Sequence, residues 1–445
     1  MSMLQYLSNS FAVDERQNIW EFSLFGLGRF GLVGCDLKFW AISFVFLTAE
    51  CLWNCAFAYI IYKWIVPYQK TTHAYVLGYG VILPLILASP FWLLHMIPLS
   101  NIAFLLCFVG GTASLIIFRC VEAMHGLLPK FSTTSLSVFM LYYASALQFQ
   151  IDETSGMAVK VTRNELTRKI FNFAGIFVRT SLLYSILLPC GYKLFDYPPI
   201  QGLAEMFHWR HLANNFLMAC LTSVLLECKW IHSCTLRVLL YVYIPQTQTI
   251  HLFMLTMHTA GAVGLGILTS LLSGMSVIDP FDSPLTKSAS PSDFWSRRWN
   301  RITQSGLRRG VFLPLLQCGA SRTGAALGTF VASGILHEYV LLIMKQRQGK
   351  PNNPAGAVFE PNYGNHFRFF LWCGIVIWVE KLTRSTAPVL WMQKHLPQPV
   401  RTFLVLMTVL PIVNLFTDEY IASSFYNDAA FGFVRISHLS NELVG

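Results

Sequence analysis

The chain has 445 residues, 54% of them hydrophobic and 12% charged, with a net charge of +10. A soluble domain carries about 25% charged residues, so these totals exclude an ordinary soluble enzyme and indicate a membrane protein. The basic excess fits cytoplasmic loop charge or an anionic partner. No basic arm or nucleic-acid fold signature accompanies it, so no nucleic-acid partner is expected.

Residues 1–38 are of mixed polarity, with Asp14, Glu15 and Arg16 early, and are expected to form an interfacial segment with no cleavable leader. A spanning helix needs about 20 mostly apolar residues. Runs of that kind are Phe39–Tyr62 (expected to act as an uncleaved signal anchor), Ala74–Ile97, Ile102–Phe118, Ile170–Pro189, His251–Leu272, Thr323–Met344 and Arg401–Phe416. Shorter ones are Leu136–Leu147, Leu212–Leu226, Thr235–Ile244 and Phe369–Val379. The expected architecture is all-α: one polytopic helical domain over residues 1–445, with about eight to ten transmembrane helices. No strand alternation or internal repeat is evident.

Three connections are polar. Ile151–Lys169 reads as an aqueous loop, Asp279–Gly310 is rich in arginine, and Lys345–His366 is a turn-filled loop of Pro, Gly and Asn. Glu50 and Arg179 fall inside apolar runs and should face protein or a wet cavity. The eleven cysteines lie mostly in apolar runs and read as packing residues. His251 and His258 share a helix face but have no evident third ligand, so no metal site is expected. His208 and His211 flank Trp209 and read as interfacial residues.

The chain is organised around residues 280–337. Ser290-Pro291-Ser292-Asp293 has the pattern of a helix start: a capping serine, proline at the first position and an acid in the capping-box place. Continued at about 100° per residue, Trp295, Trp299 and Ile302 share one face, while Asp293, Arg297 and Asn300 share the other. Such a helix suits an interfacial anchor. Five arginines between Arg297 and Arg309 call for an anion, from lipid headgroups or from a phosphate-bearing co-substrate. His337 lies about fourteen residues into the next apolar run, roughly 20 Å along a helix and well inside a hydrocarbon core of about 30 Å. Ser333 is one turn before it, and Gly328 and Gly334 allow close approach by a neighbour. A neutral imidazole there is either satisfied by a backbone carbonyl or acts as a base. As a base it would suit removing a proton from a hydroxyl that attacks an acyl thioester, with an amide donor for the oxyanion.

Two pieces of this stretch resemble a known family. Asp293-Phe294-Trp295-Ser296-Arg297-Arg298-Trp299-Asn300, preceded by Pro280-Phe281-Asp282-Ser283-Pro284, resembles the signature of plant-type wax synthases, a branch of the membrane-bound O-acyltransferase superfamily. Ser333-Gly334-Ile335-Leu336-His337-Glu338 resembles the second signature, and Leu415-Phe416 is a weaker echo near the C-terminus. The resemblance implies a membrane enzyme, usually of the endoplasmic reticulum, that moves a fatty acyl group from acyl-CoA to a hydroxyl-bearing lipid acceptor. It implies His337 as general base and Asn300 as the second active-site polar residue. Arg297, Arg298 and Arg301 are then candidates for the CoA phosphates, with Asp293, Trp295, Trp299 and Ser333 as further substrate-side residues. Acyl-CoA is a co-substrate and no cofactor or metal is implied, because the thioester is already activated. A long-chain alcohol is the expected acceptor. Diacylglycerol, a sterol, or a terpenoid or polyketide hydroxyl (with acetyl-CoA as a possible donor) are the alternatives. A secondary transporter with Glu50 and Arg179 on its pathway is the remote rival, for which two similar halves would be expected.

Overall fold

The computed structural model describes residues 18–23, 29–34, 37–96, 111–144, 148–152, 154–229, 270–271, 273–348, 359–430 and 433–436. Helices dominate them. In chain order, the α-helices of five or more residues are α1 (Leu37–Trp64), α2 (Thr72–His95), α3 (Gly111–Met124), α4 (Leu136–Ala144), α5 (Arg163–Leu187), α6 (Trp209–Lys229), α7 (Arg301–Leu307), α8 (Leu313–Gln317), α9 (Arg322–Gln348), α10 (Asn365–Thr383), α11 (Ala387–His395), α12 (Gln398–Met407), α13 (Asn414–Ala422) and α14 (Phe425–Ala429).

Among the described residues, three helices are long and apolar enough to cross a membrane: Thr72–His95, Arg163–Leu187 and Arg322–Gln346. A fourth crossing is available if Gln398–Ile412 and Asn414–Ala422, bent by 52° at their junction, form one broken span. About a third of the Arg163–Leu187 and Arg322–Gln346 windows is buried in the protein, 33% in each. Their other faces carry exposed Phe171, Val178, Leu182, Ile335 and Leu342, which need an apolar environment and find one in lipid. This is an all-α fold of polytopic membrane type. Two expected runs, His251–Leu272 (with His251 and His258) and Thr235–Ile244, lie outside the described residues apart from the last turn of the first, as does the side chain of Glu50.

Four local expectations are corrected. A small antiparallel sheet is present, in the order β1 (Asn18–Ser23), β2 (Arg29–Gly34), β3 (Val434–Ile436). Its third strand is only three residues long and pairs across almost the whole chain, so no local alternation announces it. The loop expected at Ile151–Lys169 is a helix from Arg163 onward, capped by Thr162 Oγ1, which accepts the Glu165 N–H. Lys169, 3% exposed, bonds the Val277 carbonyl and pairs with Glu165 at 3.2 Å and Asp279 at 3.4 Å. Of the two settings expected for Arg179, protein or a wet cavity, the structure excludes the first. Arg179 is exposed and its Nε–H donates to the Gly175 carbonyl of its own helix at 3.2 Å.

The fourth correction concerns Arg401–Phe416, which is not one straight run. The helix ends at Met407, passes through a 3-10 turn at Leu410–Ile412 around Pro411 and bends by 52° before Asn414, which leaves carbonyls of that turn outside a regular helical ladder, where lipid cannot satisfy them. Two side chains of α6 meet them: His211 Nε2–H donates to the Pro411 oxygen at 3.1 Å and Asn215 Nδ2 donates to the Leu410 oxygen at 2.7 Å. His211, at 0% exposure, is therefore a buried support of the break and not an interfacial residue. An Asn215→Leu protein should lose about 0.5–1.5 kcal/mol, the net worth of its buried hydrogen bond to the Leu410 oxygen, which would keep only the longer 3.4 Å bond from the Val413 N–H. Thermal unfolding in detergent measures it, and an unchanged melting temperature would remove Asn215 from this role.

Candidate active site

The polar half of the central stretch folds as a clipped turn. Ser290 caps as expected, its Oγ accepting the Asp293 N–H. The helix then widens into a π turn over Phe294–Arg298 and stops. Trp299 is extended (φ −88°, ψ 124°), and Asn300 adopts the left-handed conformation (φ 42°, ψ 63°) that asparagine tolerates better than most residues. Asn300 opens α7, its Oδ1 accepting the Thr303 N–H at 3.2 Å. The expected continuous amphipathic helix is thus broken between its tryptophans and its asparagine.

Charge holds the clip shut. Arg298 Nε donates to Asp293 Oδ2 at 2.7 Å, and its Nη1 donates to the Asp282 carbonyl at 3.1 Å and carboxylate at 3.3 Å. Burial draws the Asp293 carboxyl pKa upward, but the Arg298 bond, the Ala289 N–H and the nearby Arg297 outweigh it and hold the group below the usual carboxylate value. From α10, Glu380 accepts from both the N–H and the hydroxyl of Ser292 at 2.7 Å. Arg301 is spent on backbone, donating to the carbonyls of Arg297 and Asp279. Arg297 is exposed, 3.4 Å from Asp293 Oδ1.

The apolar half is α9. Gly334 lets the helix meet α10 closely, since a Cβ there would lie 3.0 Å from the Phe367 Cα. Glu338 Oε1 accepts the Phe367 N–H and so fixes the start of α10. His337 is boxed by rings. It stacks on Phe370 at 4.6 Å and 9°, and meets the edges of Phe416 at 5.1 Å and His366 at 5.8 Å. Its Nδ1 lies 3.4 Å from the Tyr420 hydroxyl.

Both halves open on one cavity of about 510 Å³. Asn300, Trp295 and Trp299 from the clip, Ser333 and His337 from α9, and the broken α12–α13 segment all line it. The structure therefore brings Asn300, His337, Ser333, Trp295 and Trp299 together. Asp293, Arg297, Arg298 and Arg301 do not line the cavity. Trp295 and Trp299, which a continuous amphipathic helix would set on the face opposite Asn300, line the same chamber as Asn300. Trp299 stacks on Phe294 at 5.3 Å and meets Phe281 at 5.4 Å.

Sequence reasoning missed three residues here. Arg308 borders the cavity and is exposed. Tyr420 lines it, and His366 is fully buried behind His337. Only Arg308 stood in a stretch already marked, as one of the five arginines. The other two are brought in by α10 and α13, with no local signal.

Residues 278–360, which contain both Asn300 and His337, match the membrane bound O-acyl transferase family. This places the segment in the membrane-bound O-acyltransferase superfamily. The chain is 35% identical over 118 residues to the probable long-chain-alcohol O-fatty-acyltransferase 9 of Arabidopsis thaliana, covering 23% of this chain and 34% of that protein. It is 32% identical over 110 residues to acyl-CoA–sterol O-acyltransferase 1 of the same plant, covering 23% of this chain and 32% of the relative. A third relative, probable long-chain-alcohol O-fatty-acyltransferase 7, is 28% identical over 159 residues, or 34% and 41% of the two chains. The chain thus spans about a third of the first two relatives' length, 34% and 32%.

Proposed function

We propose that this protein is a membrane-embedded O-acyltransferase that moves a fatty acyl group from acyl-CoA to the hydroxyl of a long-chain alcohol, forming a wax ester. The observation that carries the reading is the meeting of His337 and Asn300, 37 residues apart in sequence, on one largely apolar cavity among membrane helices. An apolar chamber suits an acyl chain and a long alcohol, and its few polar groups include a base and an amide donor of the kind the reaction needs.

In the proposed mechanism His337 Nε2 takes the proton of the acceptor hydroxyl. The alkoxide oxygen bonds to the thioester carbonyl carbon, and its negative charge passes to the carbonyl oxygen. The Asn300 Oδ1 is already committed to α7, which leaves its NH₂ as the donor for that oxyanion. Collapse breaks the C–S bond, and the imidazolium returns its proton to the leaving thiolate. Trp295 and Trp299 hold the chain near the thioester, and Ser333 offers a hydroxyl one turn from the base. Asp293 holds the clip.

For the CoA phosphates, Arg308 joins the arginines proposed from sequence. Arg297 remains a candidate by its exposure, while Arg298 and Arg301 are engaged by the turn. An Arg308→Ala enzyme should show a Michaelis constant for acyl-CoA raised about tenfold, the worth of one charged hydrogen bond, with kcat within about twofold. An unchanged Michaelis constant would exclude Arg308 from the phosphate site.

A second reading keeps the chemistry and changes the acceptor to a sterol; it is favoured by the similarity to the acyl-CoA–sterol enzyme. A host strain lacking its own neutral-lipid acyltransferases decides between them. Expressed there and supplied with fatty alcohol, the protein should produce wax esters in the endoplasmic reticulum membrane, whereas steryl ester or triacylglycerol in their place would reject the alcohol as acceptor.

A further inference from the structure

The imidazole of His337 has two nitrogens, and the proposed chemistry needs one of them unprotonated and facing substrate. Its surroundings bear on that choice. The ring faces and edges are covered by Phe370, Phe416 and His366. Among the described residues, the polar group within hydrogen-bond distance of a ring nitrogen is the Tyr420 hydroxyl, 3.4 Å from Nδ1. Tyr420 is itself fixed. Its ring stacks on His366 at 5.2 Å and 24°, and meets Phe416 and Phe425 at 5.1 and 5.2 Å. His366 in turn donates from Nε2 to the Phe416 carbonyl at 3.0 Å, tying α10 to the first turn of α13.

We propose that Tyr420 is a positioning residue whose hydroxyl oxygen accepts the Nδ1–H of His337 and holds the imidazole in the tautomer with a free Nε2 lone pair. The partner of one ring nitrogen sets the protonation of the other. When Nε2 takes the acceptor's proton, the imidazolium becomes a stronger donor at Nδ1, so the bond to Tyr420 tightens as charge develops. The same proton leaves from Nε2 to the thiolate, and Nδ1 keeps its own throughout. This inference rests on the reading of His337 as the base.

The other titratable groups around the ring each hold a contact of their own, while Glu338 Oε2 and His366 Nδ1 are buried without a hydrogen-bond partner among the described residues. Glu338 Oε1, on α9 itself, accepts from Phe367. Glu419 on α13 accepts from the Asn362 N–H and the Asn365 Nδ2. His366 on α10 presents its ring edge-on. Removing the Tyr420 hydroxyl therefore removes the acceptor that favours the protonated ring.

The test compares wild type, Tyr420→Phe and His337→Ala as purified full-length proteins in lipid nanodiscs, with acyl-CoA and a long-chain alcohol across a pH series. Phenylalanine keeps the ring stacked on His366, and thermal unfolding checks that the fold is kept. The expected result for Tyr420→Phe is a kcat lower by about tenfold, an unchanged Michaelis constant for acyl-CoA, and an acidic limb of the kcat profile moved to lower pH. The direction follows because the imidazolium loses its acceptor and gives up its proton more readily. A Tyr420→Phe enzyme with wild-type kcat and pH profile would overturn the proposal. So would a kcat reduced equally at every pH, which marks a packing role alone. Retained activity in His337→Ala would instead reject the reading of the site on which this rests.

Discussion

His337→Ala should reduce ester formation by about 10²–10⁴-fold, the contribution of a positioned general base. The loss should fall on kcat, with the Michaelis constant for acyl-CoA little changed, because the imidazole is proposed to act on the acceptor's proton and not on the CoA moiety. The fold should survive, since the ring borders a cavity and the change deletes no ion pair and leaves no buried charge. Turnover with labelled acyl-CoA in nanodiscs, alongside thermal unfolding, measures both. Substantial activity in a folded His337→Ala protein would remove the histidine from the chemistry.

Glu122→Leu should lower stability by about 3–5 kcal/mol, the cost of breaking a buried ion pair by removing one partner. Glu122, on α3, is 2% exposed and holds together a group of charges in the membrane domain. Its carboxylate accepts from the Tyr142 hydroxyl at 2.8 and 2.9 Å and from Arg309 Nη1 at 3.0 Å. Arg119 sits over the Tyr142 ring at 4.6 Å. One guanidinium is paired with this carboxylate and a second lies over the ring of the tyrosine bonded to it, so removing the carboxylate leaves Arg309 without its counter-charge. The damage should spread to the cavity. Arg309 lies between Arg308 and Gly310, and Gly310 packs so closely on Phe118 of the cavity wall that an added Cβ would lie 2.7 Å from its Cβ. Pairing the change with Arg309→Met should recover part of the loss, because a charge is then removed from each side. A Glu122→Leu protein as stable as wild type would show that this cluster carries no fold stability.

Much of the fold and one half of the site were legible in the sequence, for identifiable reasons. Spanning helices announce themselves by composition, so the cores of α1, α2, α5 and α9 fall where the apolar runs lie. The Ser290 cap is a local pattern and formed as such. His337 was conspicuous because an ionisable group deep in an apolar run costs free energy and needs a reason to be there. What was hidden depends on distance or on backbone choice. Asn300 is an asparagine in a left-handed cap, and a periodicity wheel cannot foresee that the wheel stops one residue earlier. The five arginines share one stretch but have different partners: Asp293 and Asp282 for Arg298, carbonyls for Arg301, Glu122 for Arg309. Tyr420 and His366 reach His337 from two other helices. His211 looked interfacial because the broken carbonyls it serves lie 200 positions downstream.

The central claim is acyl transfer from a thioester to a hydroxyl at His337, and the most direct measurement follows both products at once. Purified protein in nanodiscs is given radiolabelled fatty acyl-CoA and a long-chain alcohol, and free CoA and labelled ester are counted together. The account predicts equal amounts of the two products from wild type, and neither above background from His337→Ala. Folded wild-type protein that releases no CoA and forms no ester with long-chain alcohol, sterol or diacylglycerol would contradict it.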